Sequence, residues 1–168
     1  MKVLLLLIII VSGGYAKAQD GPRTVYDREN NLTTLSSESI NLSKAKDKYH
    51  SLDFTLSCSY PGQNRRIPVR INLNLVSVVK ARKLNSDLYV VFIVDGKSIH
   101  FSSNRSAIRN PVQGRLWVGE RMEFLIPYEE FLKLAAAEKL SVKLGGVEFE
   151  FGDEARKAVQ QFAKAVKD

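Results

Sequence analysis

Few residues in this chain have side chains suited to catalysis: two histidines, one cysteine and a small set of acids. A zinc site needs three or four nitrogen, sulfur or oxygen ligands, and a hydrolytic triad needs a histidine between a nucleophile and an acid. His50 and His100 are far apart, and no HExxH, GxSxG or CxxC pattern surrounds either. Cys58 stands in an alternating apolar run, where a thiol serves as a small core residue. We therefore expect no catalytic nucleophile, metal or cofactor.

Paired carboxylates are another route to hydrolysis, because glycosidases cleave sugars between two acids. The basic middle of the chain holds Asp87, Asp95 and Glu120. Asp95 precedes glycine in a turn pattern and Asp87 leads into a strand, while Glu120 stands beside Arg121. These structural roles favour a non-enzymatic protein. The alternative is a small periplasmic hydrolase or enzyme inhibitor that uses the polar connection at residues 102–119.

Arginine side chains are the stronger candidates for binding. The chain has 25 Lys and Arg against 18 Asp and Glu, and residues 54–121 hold eleven of these bases against three acids, a net charge of +8. Such asymmetry attracts anionic partners, although a solvated face is the simpler interpretation. The candidate partners are an anionic envelope component, such as a lipid headgroup or acidic polysaccharide, and another exported protein. The candidate contact residues are Arg65, Arg66, Arg70, Arg105, Arg109 and Arg115.

Residues 1–18 show the pattern of a cleavable secretory signal, with Lys2, the apolar run 3–11 and a small-residue ending before Gln19. Crossing a bilayer as a helix takes roughly 20 residues, so this nine-residue run is too short for a retained anchor. No cysteine follows it for lipid attachment. The sequence therefore predicts a periplasmic or secreted protein, of bacterial type, with no transmembrane segment after cleavage. A eukaryotic leader has much the same pattern.

Aromatic side chains among the bases are a combination also found on nucleic-acid-binding surfaces. They occupy strand positions that packing explains, and export separates the protein from nucleic acid. We expect no nucleic-acid partner.

The chain after the leader has the size of one domain, large enough to bury a core without a disulfide or metal. Gly21 and Pro22 suggest a flexible tail at 19–23, which leaves a single domain at 24–168. Cys58 is the only cysteine, so an intramolecular disulfide is impossible.

Strands dominate the first part of this domain. Residues 25–42 favour one or two half-exposed strands, and the alternation from Leu52 to Cys58 predicts a strand closed by Pro61-Gly62. The following strand places four apolar side chains on one face: Val69, Ile71, Leu73 and Leu75.

Asp95-Gly96 predicts a two-residue turn that joins strands at 88–94 and 97–102. A turn of this type places Phe92 opposite Ile99, and it places Val90 opposite Phe101. Residues 102–119 are expected to form a loop, and another strand follows at 120–126.

Two helices flank a second hairpin near the C-terminus. Pro127 suits the first position of a helix, whose apolar stripe would be Tyr128, Phe131, Leu132 and Ala135. Gly145-Gly146 predicts a hairpin turn with Lys143 opposite Glu148. Asp153 is a candidate N-cap for the last helix, whose stripe would be Ala155, Ala158, Val159, Phe162, Ala163 and Val166.

These elements predict an α+β fold, with an antiparallel β-sheet or two-layer β structure and two C-terminal helices packed on it. Several short motifs contribute to a resemblance: Ile126-Pro127, Phe131, Leu134-Ala135, Val142, Leu144-Gly145 and Glu148-Phe149. Together with the Val94-Asp95-Gly96 turn, this stretch resembles the ending of uncharacterised exported bacterial proteins with a β-rich body and a helix–hairpin–helix ending. The resemblance covers roughly the last 100 residues. It implies the fold and export, and it implies no activity or site.

Overall fold

Two antiparallel sheets and two helices make up the residues that the computed structural model describes: 21–42, 51–64, 66–79, 89–102, 108–111, 118–144 and 147–168. The strands, in chain order, are β1 (Arg23–Asp27), β2 (Leu32–Ser36), β3 (Ile40–Asn41), β4 (Ser51–Pro61), β5 (Arg70–Val79), β6 (Tyr89–Val94), β7 (Lys97–Ser102), β8 (Ile108–Pro111), β9 (Val118–Pro127), β10 (Leu140–Leu144) and β11 (Val147–Glu150). The helices are α1 (Tyr128–Ala136) and α2 (Asp153–Lys167). The predicted α+β class is confirmed.

The larger sheet has the strand order β1-β2-β4-β5-β9-β8, and β3 also pairs with β4. Its longest pairing joins β5 to β9, from Arg70 opposite Pro127 to Val79 opposite Val118. Alternate side chains point to opposite faces, so Leu52, Ile71 and Phe124 are buried on the inner face. The opposite, outer face mixes Ser, Thr and Asn with charged residues and a few exposed apolar ones, such as Val76 and Leu125.

A β-bulge separates β2 from β3, which pair one after the other with the same side of β4. Ser36 lies opposite Ser57, whereas Ile40 lies opposite Phe54, so four steps along one strand match three along the other. Ser37 occupies the bulge, where its hydroxyl accepts a 2.9 Å hydrogen bond from the Leu56 amide. The region predicted to hold one or two strands therefore holds three short ones.

The smaller sheet has the order β11-β10-β6-β7 and confirms the predicted hairpin registers. Lys143 lies opposite Glu148, and the turn at Asp95-Gly96 has positive φ at both residues, 48° and 84°. The Gly145-Gly146 turn itself lies outside the described residues. The aromatic and aliphatic pairs in β6 and β7 are Phe92 with Ile99 and Val90 with Phe101.

Side chains from both sheets and both helices form one buried cluster. Phe54 of the larger sheet contacts Phe151, which follows β11, with ring centroids 5.1 Å apart. Phe131 and Phe162 join the two helices by an edge-to-face contact at 5.8 Å. The helices therefore complete the core, as the two apolar stripes predicted, although Leu132, Ala135 and Ala158 are only partly buried.

Both predicted helix starts were wrong by one position. Pro127 keeps an extended conformation, φ −53° and ψ 139°, and ends β9 opposite Arg70, so it is the residue before the helix. Gly152, and not Asp153, is the N-cap of α2. Its carbonyl accepts the first helical hydrogen bond, from the Arg156 amide. Asp153 instead lies in the first turn and forms an ion pair with Arg156. At α1, pairing of Pro127 with Arg70 holds the chain extended one residue further than the local sequence indicates, whereas α2 begins one residue earlier than expected.

The loop predicted at 102–119 contains a strand. Residues 108–111, the short edge strand β8, pair with the start of β9, which itself begins two residues earlier than expected. The four-residue sequence of β8, which begins with isoleucine and ends in proline, carries almost no alternation signal, so pairing with a long neighbouring strand determines this element. Residues 103–107 and 112–117 lie outside the described part of the chain.

Candidate binding surfaces

The predicted arginine contacts do not all lie together. Arg109 lies opposite Glu120, and Glu120 lies opposite Ser77, seven residues along β5 from Arg70. Seven residues at about 3.3 Å each separate them along the strands and two strand spacings of about 4.8 Å separate them across the sheet, so the backbones of Arg70 and Arg109 are about 25 Å apart. The other three candidates, Arg65, Arg105 and Arg115, lie outside the described residues.

Arg66 and Arg70 bracket an exposed stretch, which we call the basic-apolar segment (residues 66–70). Ile67 is 67 % exposed and Val69 is 83 % exposed. Both arginines are also exposed, and neither forms an ion pair with another described residue. Two aliphatic side chains and two guanidinium groups, the latter with no ion-pair partner among the described residues, are therefore exposed within five residues.

The basic-apolar segment is fixed to the fold at its centre. Pro68 is buried between its exposed neighbours, and proline has a restricted φ. The Val69 carbonyl accepts a 3.0 Å hydrogen bond from the amide of Tyr128, the first residue of α1. Arg70 then enters the sheet opposite Pro127. The exposed side chains thus project from an anchored backbone.

The prediction that Val69 belongs to the buried face of its strand was wrong. The β5 ladder begins only at Arg70, and the residue before it follows Pro68, which has no N–H for a ladder. The arginine pattern predicts a binding role for this segment, but it does not predict the exposure of Ile67 and Val69. Proline at position 68 was the available signal that the strand starts later.

The outer face of the larger sheet is a second exposed surface. Asn74 accepts a 2.9 Å hydrogen bond from Arg121, and Arg121 also forms a 3.5 Å ion pair with Glu123. Asn41 donates to Asp53 at 2.6 Å on the same face. The charged groups here are largely matched by partners, so this face offers less unneutralised charge than the basic-apolar segment.

A groove of about 530 Å³ lies at one end of the smaller sheet. Its lining includes Glu148, Glu150 and Arg156, and the buried Ser141 hydroxyl donates to Glu148 at 2.5 Å. This hydrogen bond, followed by the smaller effect of Lys143, lowers the pKa of Glu148. A carboxylate with a lowered pKa is a weak base, so this Ser–Glu pair is poorly suited to activating a nucleophile.

A second groove of about 520 Å³ separates α2 from the bulge region. Glu38, Glu154 and Lys157 line it. Neither groove is lined by Arg66 or Arg70, the two predicted arginines whose side chains the structure describes.

The structure places two of the residues considered for catalysis, His100 and Asp95, in the hairpin of β6 and β7. His100 is exposed on the outer face of the smaller sheet opposite Val91, as the hairpin register predicts. Ser141 is two strands away from it, a backbone separation of about 12 Å at normal sheet spacings. Asp95 accepts a 2.8 Å hydrogen bond from the Lys139 amide and so ties the turn to the segment after α1. His50 and Asp87 lie outside the described residues, and only the backbone of Glu120 is described.

Cys58 is buried in the core, as predicted, and is 5 % exposed. Near it lies Tyr128, whose hydroxyl is buried with no hydrogen-bond partner in the described residues. Burial raises the pKa of Tyr128, and the charges of Glu129 and Cys58 raise it further. A phenol that stays protonated beside a core thiol fits a structural role.

Within the described ranges, no group of three or more histidine, cysteine, aspartate or glutamate side chains could hold a metal ion. None of the helices described here is both long and apolar enough to span a membrane. No known protein family matches the chain, and neither curated proteins nor solved structures gave a match.

Proposed function

We propose that this protein is an exported, non-enzymatic binding module of the bacterial envelope that recognises an anionic partner. The observation that carries the proposal is the pair of exposed arginines at 66 and 70, which stand on an anchored backbone and form no ion pair with another described residue. An exposed cation with no ion-pair partner can attract an anion without first losing an internal contact. The leader pattern of residues 1–18 supports a place in the periplasm or outside the cell.

Three of the other described arginines differ from these two. Arg121 and Arg156 form ion pairs with acids close by, and Arg23 lies 3.9 Å from Glu38. Such groups support local structure and contribute little to a field that reaches solvent. The binding surface is therefore assigned to the basic-apolar segment and not to the arginine set as a whole.

Retention on a matrix that carries acidic groups tests this proposal. The purified protein should be retained at low salt, and the charge reversal R66E/R70E should elute at lower salt. The matched control is R23E/R28E, which makes the same change in net charge on β1 and the turn after it. Failure of the unmodified protein to bind at low salt contradicts the function, and equal shifts for both variants contradict the position.

A further inference from the structure

We propose that the basic-apolar segment docks the protein on the surface of a lipid bilayer that contains anionic lipids. The inference rests on the proposed function and names its partner. Ile67 and Val69 enter the boundary between headgroups and acyl chains, while Arg66 and Arg70 contact lipid phosphates. Interfacial binding of this kind combines apolar burial with attraction to anionic headgroups.

The exposed aliphatic groups favour lipid over an acidic polysaccharide. A hydrated acidic polymer neutralises arginine but gives no apolar environment to side chains that are 67 % and 83 % exposed. A bilayer interface accepts both kinds of group at once. Single exposed aliphatic residues are ordinary on protein surfaces, but here two alternate within a stretch that begins and ends with arginine.

A further exposed apolar side chain lies close to Arg70. Leu125 is 41 % exposed on the outer face of the larger sheet and lies opposite Asn72. The next outward pair along these two strands is Arg70 and Pro127, so Leu125 is diagonal to Arg70.

Acids near the segment are mostly matched by bases. Glu123 lies 3.5 Å from Arg121, and Glu130 lies 2.7 Å from Lys133. Glu129 in the first turn of α1 contributes one negative charge, and the two arginines of the segment contribute two positive charges. The local net charge is therefore positive. That sign is complementary to an anionic lipid surface.

The anchored backbone lowers the entropic cost of docking. Buried Pro68 and the hydrogen bond between the Tyr128 amide and the Val69 carbonyl hold the segment in place before it meets a membrane. A contact that is already ordered loses less conformational freedom on binding.

The strand β1 and its turn provide a matched control on the same sheet. Val25 is 62 % exposed and stands between Arg23 and Arg28 in sequence. Acids accompany these residues, since Asp27 and Glu29 flank Arg28 and Glu38 pairs with Arg23. This region therefore resembles the basic-apolar segment in its arginine and aliphatic residues, but nearby acids cancel its positive charge.

Sedimentation with lipid vesicles tests the inference. We would compare zwitterionic vesicles with vesicles containing a third of acidic phospholipid, using the purified protein, R66Q/R70Q and I67S/V69S. The controls are R23Q/R28Q and V25S. All these side chains are exposed, so each variant should keep the far-ultraviolet circular dichroism of the unmodified protein.

The protein should bind only the acidic vesicles. Each arginine near an anionic surface contributes about fivefold, so R66Q/R70Q should weaken binding roughly 25-fold. I67S/V69S should weaken it about tenfold because apolar burial is lost. The controls should change little, and free inorganic phosphate at the same phosphate concentration should compete poorly.

Other outcomes overturn the inference. Retention on the acidic matrix without vesicle binding keeps the proposed function but removes lipid as the partner, as does full competition by inorganic phosphate or by a soluble acidic polysaccharide. Loss in V25S equal to that in I67S/V69S places the contact elsewhere. Absence of both matrix and vesicle binding removes the proposed function as well.

Discussion

At the scale of single residues, the neighbouring groups decide how a charged side chain behaves. Glu148 has a lowered pKa because Ser141 donates a hydrogen bond to it and because Lys143 lies 3.3 Å away. Arg66 and Arg70 are exposed, and no described acid forms an ion pair with either. Sequence shows which residues carry charge, but only the neighbours decide which charges remain available.

Glu148 gives a prediction with a defined sign in pH. Its folded-state pKa lies below the ordinary value of 4.5, so its stabilising contribution is present above that value and is lost as pH falls through the folded pKa. S141A should raise the pKa of Glu148 toward the ordinary value, because the donated hydrogen bond is the largest cause of the shift. Titration of the side-chain carboxyl carbon by NMR measures it.

The control for this titration is K143M, which should produce a smaller rise because Lys143 contributes less than Ser141. A Glu148 pKa that stays the same in S141A would show that the serine does not stabilise the carboxylate.

At the scale of elements, turns and ladders determine where each strand and helix begins and ends. The turn between β6 and β7 needs positive φ at Asp95, a conformation that aspartate and asparagine tolerate better than other residues with a side chain. The same side chain accepts a hydrogen bond from Lys139, and the Asp95 amide donates to the Lys139 carbonyl at 3.0 Å. One residue therefore joins a hairpin to the segment that follows α1.

D95A should lower the free energy of unfolding by about 1–2 kcal/mol, because alanine both strains the turn and loses the bond to Lys139. D95N keeps the tolerant side chain and a hydrogen-bond acceptor and should change stability much less. D95G relieves the strain but loses the acceptor, so it should fall between the two. Chemical denaturation measures all three, and equal stability of D95A and D95N would contradict the role assigned to the turn.

The sequence predicted elements well where alternation or turn residues are strong. Both hairpins and their registers follow from Asp95-Gly96 and from the apolar pattern around Gly145-Gly146. It failed at β8 and at the start of α1, because pairing with a distant strand decides those positions and leaves little local pattern. The candidate surface was half predicted, since charge is visible in the sequence but the exposure of Ile67 and Val69 depends on where β5 begins.

At the scale of the whole molecule, both sheets and both helices contribute to one buried cluster. Most of the large apolar side chains that the structure describes lie in this interior, which contains only two polar residues among the described buried ones, Thr33 and Ser141. Thr33 donates a 2.5 Å hydrogen bond to the Gly62 carbonyl, and Ser141 donates to Glu148. Each of these interior hydroxyls therefore has a structural partner.

Two distant core positions should report on the same unfolding transition. F54A removes a ring that joins the larger sheet to Phe151, and F162A removes a ring that joins the helices. Each should lower the free energy of unfolding by about 3–5 kcal/mol, since both rings are fully buried. The control Y89A, at a side chain 49 % exposed, should cost much less.

Circular dichroism and tyrosine fluorescence should follow one coincident transition in each variant, because a shared core unfolds cooperatively. Two separate transitions, with F54A moving only one and F162A only the other, would contradict a single core.

The overall charge also acts at this scale. The formal net charge of +7 includes Lys2 and Lys17 of the leader, and +5 remains on the 23 basic and 18 acidic residues after it. A modest net charge attracts any polyanion weakly, so a specific surface must exceed this background. The salt dependence of the affinity distinguishes anion binding at an exposed surface from binding by apolar contact or in an enclosed site, because salt screens exposed charges most.

Calorimetric titration of the purified protein with a soluble acidic polymer, repeated at increasing salt, tests the central claim most directly. The screening length shrinks from about 30 Å at 0.01 M salt to about 3 Å at 1 M, so the account predicts affinity that is measurable at low salt and falls steadily to nothing. Absence of binding at the lowest salt, or an affinity that stays constant across the series, would contradict it.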